Sequence, residues 1–254
     1  MNDIMKPIEC TEILGCRVHD VDMDTVLNAV QGFVNNQATH QIVTADASAI
    51  VIAQSDPEFK DIVNSADIVS PDGVSIVLGS RFSCKRIQVR VSGVDISMKI
   101  LEMAARDGFS VFFFGAAPGV ADKAAEKMVQ QYPGLVVAGT RNGFFDDDKD
   151  TDAIVEQIKS SGAKVLLVAL GIPKQEKWIR RNMSKLGVGV AIGVGGTFDV
   201  MSGLVKRAPV WYQKHGLEWL YRLSKDRRKI AKVLLLPKFV YMVIAQRYAK
   251  GCNH

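Results

Sequence analysis

The sequence has no uninterrupted apolar window of ~18 residues, so no segment is expected to span a bilayer. Residues 1–10 show no basic stretch followed by an apolar run, and no signal peptide is expected. Cysteine is scarce: Cys10, Cys16, Cys84 and Cys252 form no CxxC pair, which excludes a disulfide framework and fits a reducing compartment. The four histidines (His19, His40, His215, His254) are scattered without HxxxH spacing, so none is assigned to a metal. There is no GxxxxGK[ST], which excludes a P-loop nucleotidase, and no internal repeat or low-complexity stretch. What is present is a chain of 254 residues, 48% hydrophobic and 23% charged. That balance excludes a disordered or fibrous protein. The length suits one or two domains with a core large enough to need no covalent staple. The expectation is a cytoplasmic globular protein.

The charge is unevenly placed. From Val205 to Lys250 there are 12 Lys and Arg against two acids, Glu218 and Asp226, a local net of +10 in a chain of net +5. A mildly acidic body thus carries a basic C-terminal tail. Such a block is either a solvated helical face or a meeting place for anions: nucleic-acid phosphates, acidic lipid headgroups or a phosphorylated substrate.

Between about residues 40 and 200, short apolar runs alternate with helical patterns. The runs 41–44, 67–70, 110–114, 135–138, 164–169 and 188–192 are rich in β-branched or aromatic residues, which predicts strands. Asp56-Pro57-Glu58 reads as a helix N-cap, a proline at the first position and an acid in the first turn. The stretches 118–131 and 173–185 open on proline in the same way. Strands apolar on both faces and alternating with helices predict a parallel sheet covered on each side, a Rossmann-like α/β fold. Residues 10–40 read as a strand pair followed by a helix from about Asp24, and beyond 205 the pattern turns helical. The predicted division is therefore an α/β core over 1–204 and a basic amphipathic appendage over 205–254.

In such a sheet, ligands bind outside the carboxyl ends of the strands. The predicted exits carry Thr44-Ala45-Asp46, Ser70-Pro71-Asp72-Gly73, Gly115 to Gly119, Gly171 to Glu176, and Gly193-Val194-Gly195-Gly196-Thr197. Most of these glycines need only be turning the chain into a helix. Together they describe a rim suited to phosphate or nucleotide. Gly193 to Gly196 lacks the third spaced glycine of a dinucleotide fingerprint, and no following strand ends in an acid about 20 residues on, which disfavours a nicotinamide-dependent oxidoreductase. Asp72 is either part of a common Pro-Asp-Gly turn or a carboxylate at a sheet mouth able to act as general base. Asp46 leaves the preceding strand, so the two acids are candidates for one cleft.

Asp146-Asp147-Asp148 invites a metal reading, but its surroundings look like a loop running into a helix N-terminus, which is preferred. In the tail, Lys206-Arg207-Ala208-Pro209 leads into the stretch 216–223 and then Asp226-Arg227-Arg228-Lys229. Arginine forks suit a diphosphate. Farther on, apolar residues alternate with Lys232, Lys238 and Arg247, fitting an interfacial segment on an anionic membrane. The alternative for that segment is a contact in a homo-oligomer.

These residues together resemble the WecG/TagA/CpsF family of bacterial glycosyltransferases. The resemblance is carried, in order, by Thr44, the stretch 64–67, Pro71-Asp72-Gly73, the stretch 90–95, Gly171-Ile172-Pro173-Lys174-Gln175-Glu176, the stretch 193–199, Lys206-Arg207-Ala208-Pro209 and 216–223. It implies an inverting transferase that moves a sugar, N-acetylmannosamine or a related hexose or uronic acid, from a UDP-sugar to a polyprenyl-diphosphate-linked saccharide. The implied products are teichoic acid or other surface polysaccharides, made at the inner face of the cytoplasmic membrane. With no convincing DxD, the tail arginines are expected to replace a metal as the charge stabiliser. The resemblance implies Asp72 as base, Thr44, Arg90 and Gln175 in the donor site, and Arg222, Arg227 and Arg228 over the donor diphosphate. Asp46, Gly195 and Gly196 complete the candidate substrate-binding set. Two departures stand out: Asp46 replaces the family's usual asparagine, and Asp226 precedes the arginine pair where proline is usual. The rival from another class is a nucleic-acid-binding module using the basic aromatic tail, which leaves the strand-exit loops unexplained.

Overall fold

The computed structural model describes residues 8–83, 85–209, 211, 212, 218, 220, 221 and 234–250. In chain order the elements are β1 (Cys10–Ile13), β2 (Cys16–His19), α1 (Met23–Phe33), β3 (His40–Ala45), α2 (Ala47–Ala53), α3 (Pro57–Ser65) and β4 (Ile68–Pro71). Then come α4 (Val74–Ser80), α5 (Gly93–Asp107), β5 (Ser110–Gly115), α6 (Val120–Gln131), β6 (Val136–Arg141), α7 (Asp147–Ser160) and β7 (Val165–Ala169). The last are α8 (Lys174–Asn182), β8 (Val190–Gly193), α9 (Thr197–Met201) and α10 (Leu235–Lys250). All six strands predicted for the core are present. They form one sheet of order β4-β3-β8-β7-β5-β6, beside a separate two-stranded β1-β2 sheet. The pairs β3–β8, β8–β7, β7–β5 and β5–β6 are parallel.

The described residues fall into two compact units. One comprises 23–44 and 93–207, the other 1–22, 45–92 and 208–254. In the first, the alternation of side chains along each strand explains why the runs are apolar throughout. Phe112 and Phe114 of β5, Leu166 and Val168 of β7 and Ala191 of β8 pack on Ile154, Ile158, Trp178 and Ile179 of α7 and α8. The opposite face buries Val111, Phe113, Leu167 and Ile192, with the Phe113 and Phe198 rings 5.2 Å apart. A register shift between Val111 and Phe112 sets Gly139 of β6 opposite Phe112. A Cβ on Gly139 would lie 2.6 Å from the Phe112 ring, so only glycine fits.

Helix openings follow the sequence in one case and depart in two. Asp56 Oδ1 accepts the Phe59 N–H at 3.0 Å and Pro57 opens α3, as predicted. By contrast, α6 begins only at Val120, after Gly119 at φ 78°, and α8 begins at Lys174, after Pro173. The chain leaving β5 and β7 must turn sharply, through Gly115 (φ 124°), Ala116 (φ 59°) and Gly171 (φ 80°). The prolines therefore serve the turn and not the first helical position.

In the second unit, β1 and β2 are joined by Leu14 and Gly15, both at positive φ, the two-residue turn whose twist matches a hairpin. Helix α10 buries Phe239 and Val243, and a Cβ on Gly79 of α4 would lie 2.8 Å from Phe239 Cζ. The same helix exposes Val240, Ile244 and Tyr241, the last 74% accessible. No helix among the described residues is long and apolar enough to cross a membrane.

Candidate active site

Two groups of candidate residues come out of the fold, one in each unit. In the unit holding β4, Asp72 follows directly on the strand. Its N–H donates to Ala45 O at 2.9 Å, and the Val91 N–H donates to Pro71 O at 3.0 Å. That second bond ties the approach to Asp72 to the stretch bearing Arg90. Arg90 Nη2 stands 4.0 Å from Asp72 Oδ1 and makes a direct, short contact with Glu218 Oε2. All three side chains are largely buried, at 29, 22 and 11% exposure for Asp72, Arg90 and Glu218. A guanidinium shared between two carboxylates is held in place while keeping further donors for an incoming anion. The structure thus brings Asp72 and Arg90 together and adds Glu218. The clue to Glu218 in the sequence is that it is one of only two acids in the basic tail.

Asp46 has a local task. Its Oδ1 accepts the Ala49 N–H at 2.8 Å and the Ser48 hydroxyl at 2.5 Å, capping α2. Asparagine caps through the same oxygen, so the replacement of the family's usual residue preserves the helix start.

In the other unit the candidates are uncharged, with Gln175 and Thr44 buried, Gly195 half-buried and Gly196 exposed. Gln175 Oε1 accepts the Gly171 N–H at 3.1 Å and the Gly195 N–H at 3.0 Å, and its Nε2 donates to Glu176 Oε1 at 2.7 Å. One amide therefore pins the loop after β7 to the loop after β8. A Cβ on Gly193 would come 2.5 Å from Gln175 Nε2, which requires glycine there. Gly195 is left-handed (φ 51°), and Gly196 stands at the cap of the short α9. Thr44 is buried at the end of β3, its hydroxyl donating to Gly193 O at 3.2 Å. Arg222, Arg227 and Arg228 lie outside the described residues.

The acidic run behaves as a helix start. Asp146 Oδ1 accepts the Asp148 N–H at 3.1 Å, and Asp147 pairs with Lys174 at 3.4 Å. Lys174 also lies 4.5 Å over the Phe145 ring. Among the described residues no group of three or more His, Cys, Asp or Glu is placed to hold a metal ion. Cys16 is buried, and burial pushes its thiol up to about 11, which leaves it unreactive. In the tail, Arg207 pairs with Asp95 at 2.7 Å.

A family model described as the glycosyl transferase WecG/TagA/CpsF family matches residues 11–253. The chain belongs to this family. The transferase is similar to the N-acetylglucosaminyldiphosphoundecaprenol N-acetyl-beta-D-mannosaminyltransferase of Bacillus spizizenii strain W23, with 34% identity over 213 residues, 84% of this chain and 82% of the relative. The enzyme of the same name from Bacillus subtilis strain 168 is 31% identical over 218 residues, covering 86% and 84%. As a family member the protein is a glycosyltransferase, and the rival readings as a nucleic-acid-binding module or an oxidoreductase give way to it.

Proposed function

We propose that this transferase moves N-acetylmannosamine from its UDP-linked form to N-acetylglucosamine on undecaprenyl diphosphate, at the inner face of the cytoplasmic membrane. The observation that carries this reading is the similarity, over more than four-fifths of both chains, to two enzymes named for that acceptor and that sugar. The chemistry fits the residues. Asp72 accepts the proton of the acceptor hydroxyl as that oxygen attacks the anomeric carbon on the face opposite UDP. The new C–O bond forms as the bond to the diphosphate breaks, through an oxocarbenium-like transition state with inversion. Negative charge gathers on the departing UDP, where Arg90 and the tail arginines Arg222, Arg227 and Arg228 supply compensating charge in place of a metal. Thr44, Asp46, Gln175, Gly195 and Gly196 complete the donor site.

The appendage over 205–254 acts as the membrane-facing part. Its net charge supports this, as do the exposed Leu234, Val240, Tyr241 and Ile244. The test is UDP release from a panel of UDP-sugars, with and without a lipid-diphosphate-linked N-acetylglucosamine, in EDTA and then in Mg²⁺. Acceptor-dependent release from UDP-N-acetylmannosamine that survives EDTA is expected. Release only with Mg²⁺ would contradict the metal-independent mechanism, and release from a different donor would reassign the sugar.

A further inference from the structure

We propose that the N-terminal hairpin positions the reacting side chains: His19 sets the strand that presents Asp72, and Asp20 sets the loop that presents Arg90. This rests on the reading of Asp72 and Arg90 given above. The hairpin β1–β2 packs against β4 but forms its own two-stranded sheet, so it does not extend the main sheet by a backbone ladder. It is attached through side-chain contacts spread from Gln54 to Gln246, and two of them end within three residues of Asp72 and Arg90. His19 is buried, and its Nδ1 accepts the Val69 N–H at 2.9 Å, three residues before Asp72. Asp20 Oδ1 accepts the Gln88 N–H at 2.9 Å, two residues before Arg90. Arg17 Nη2 donates to Ala66 O at 2.8 Å, its N–H donates to Asn64 Oδ1 at 2.8 Å, and Asn64 Nδ2 donates to Gly15 O at 3.0 Å.

β4 stands at the edge of its sheet, where among the described residues no strand pairs with its outer side. The His19 acceptor supplies that side with a fixed point close to the residue whose placement matters. Burial, with the positive Arg17 nearby, holds the imidazole neutral and therefore able to accept. The segment carrying residues 85–92 has no regular secondary structure of its own and is held by single bonds, among them the Ile87 N–H to Ser80 Oγ, the Gln88 N–H to Asp20 and the Val91 N–H to Pro71, of which the Asp20 contact stands nearest before Arg90. Adjacent residues at the end of one strand thus lead to the two charged groups, which in turn meet each other across 4.0 Å.

The two tethers have separable kinetic signatures. His19→Leu removes the acceptor next to the base and is expected to lower kcat about tenfold, with the donor KM little changed. His19→Asn places Oδ1 where Nδ1 stands and is expected to restore kcat. Asp20→Ala is expected to raise the donor KM about tenfold with a smaller effect on kcat, and Asp20→Asn to restore it. Asp20 is half-buried, so its variants report even where His19→Leu fails to fold. In an Asp72→Asn background the His19→Leu change is expected to cause no further loss. Folded His19→Leu and Asp20→Ala enzymes with unchanged kcat and KM, beside an inactive Asp72→Asn, would overturn the positioning role alone. So would a further tenfold loss in the Asp72→Asn background. Full activity of Asp72→Asn itself would overturn the reading of the base, and this role with it.

Discussion

The two units handle polarity in opposite ways. Around Gln175 a buried neutral amide accepts the N–H groups of two nearby loops and donates to the buried carboxyl of its chain neighbour Glu176. Around Asp72 they are charged, and they are held by partners remote in sequence: Glu218 for Arg90, His19 and Asp20 for the approaches. An amide that pins two loops creates a fixed shape, whereas on the proposed mechanism the charges stay partly accessible to meet an acceptor hydroxyl and a diphosphate. The first arrangement joins the loops after β7 and β8; the second borrows its rigidity from partners elsewhere in the chain.

That contrast can be broken from either side. The largest stability effect is expected from Gln175→Leu, which takes the acceptor from the half-buried Gly171 and Gly195 N–H groups and one donor from the buried Glu176 carboxyl. At roughly 1–3 kcal/mol for each unsatisfied group, it should lower the thermal midpoint by several degrees, as read by calorimetry. A Gln175→Leu enzyme of unchanged midpoint would contradict the pinning of the two loops by this amide.

On the charged side, Glu218→Ala frees Arg90 from its shorter contact and leaves Asp72 as its neighbour. A cost of about 1–3 kcal/mol in stability is expected, together with a loss of activity that Glu218→Gln partly restores. Equal behaviour of the alanine and glutamine variants in urea titration and in UDP release would remove Glu218 from the site.

The smallest effect concerns pH. Burial first, and the Arg17 charge second, depress His19 from its ordinary 6.5 to about 4. The unfolded chain therefore binds a proton that the folded chain refuses between those values, and stability falls as pH drops from about 6.5 to about 4. His19→Asn should flatten that part of the stability curve, measured by urea unfolding at a series of pH values. A curve of unchanged slope would show that His19 titrates normally.

Much of the unit holding Gln175 was legible in the sequence. Alternating apolar runs mark its strands, and the glycines at 171, 193 and 195 mark close backbone approach or positive φ, which a side chain cannot mimic. What sequence could not reveal is that Gln175 spends its carbonyl on two of those loops, because that pairing depends on how the strand ends meet. The charged unit was legible only in part. Asp72 and Arg90 were identifiable from their motifs, but Glu218 lies 128 residues from Arg90 and His19 lies 50 from Val69, separations no periodicity encodes. The prolines at 118 and 173 were misplaced by a short distance, since an N-cap pattern looks the same whether the proline opens a helix or turns the chain before it.

On the proposed mechanism Asp72 removes the acceptor proton. The measurement that tests it most directly is acceptor-dependent UDP release by Asp72→Asn, paired with calorimetric binding of the UDP-sugar to the same preparation. A kcat lower by roughly 10²–10⁴ with donor affinity unchanged is expected. Turnover within a few-fold of the unsubstituted enzyme, at equal donor affinity, would contradict it.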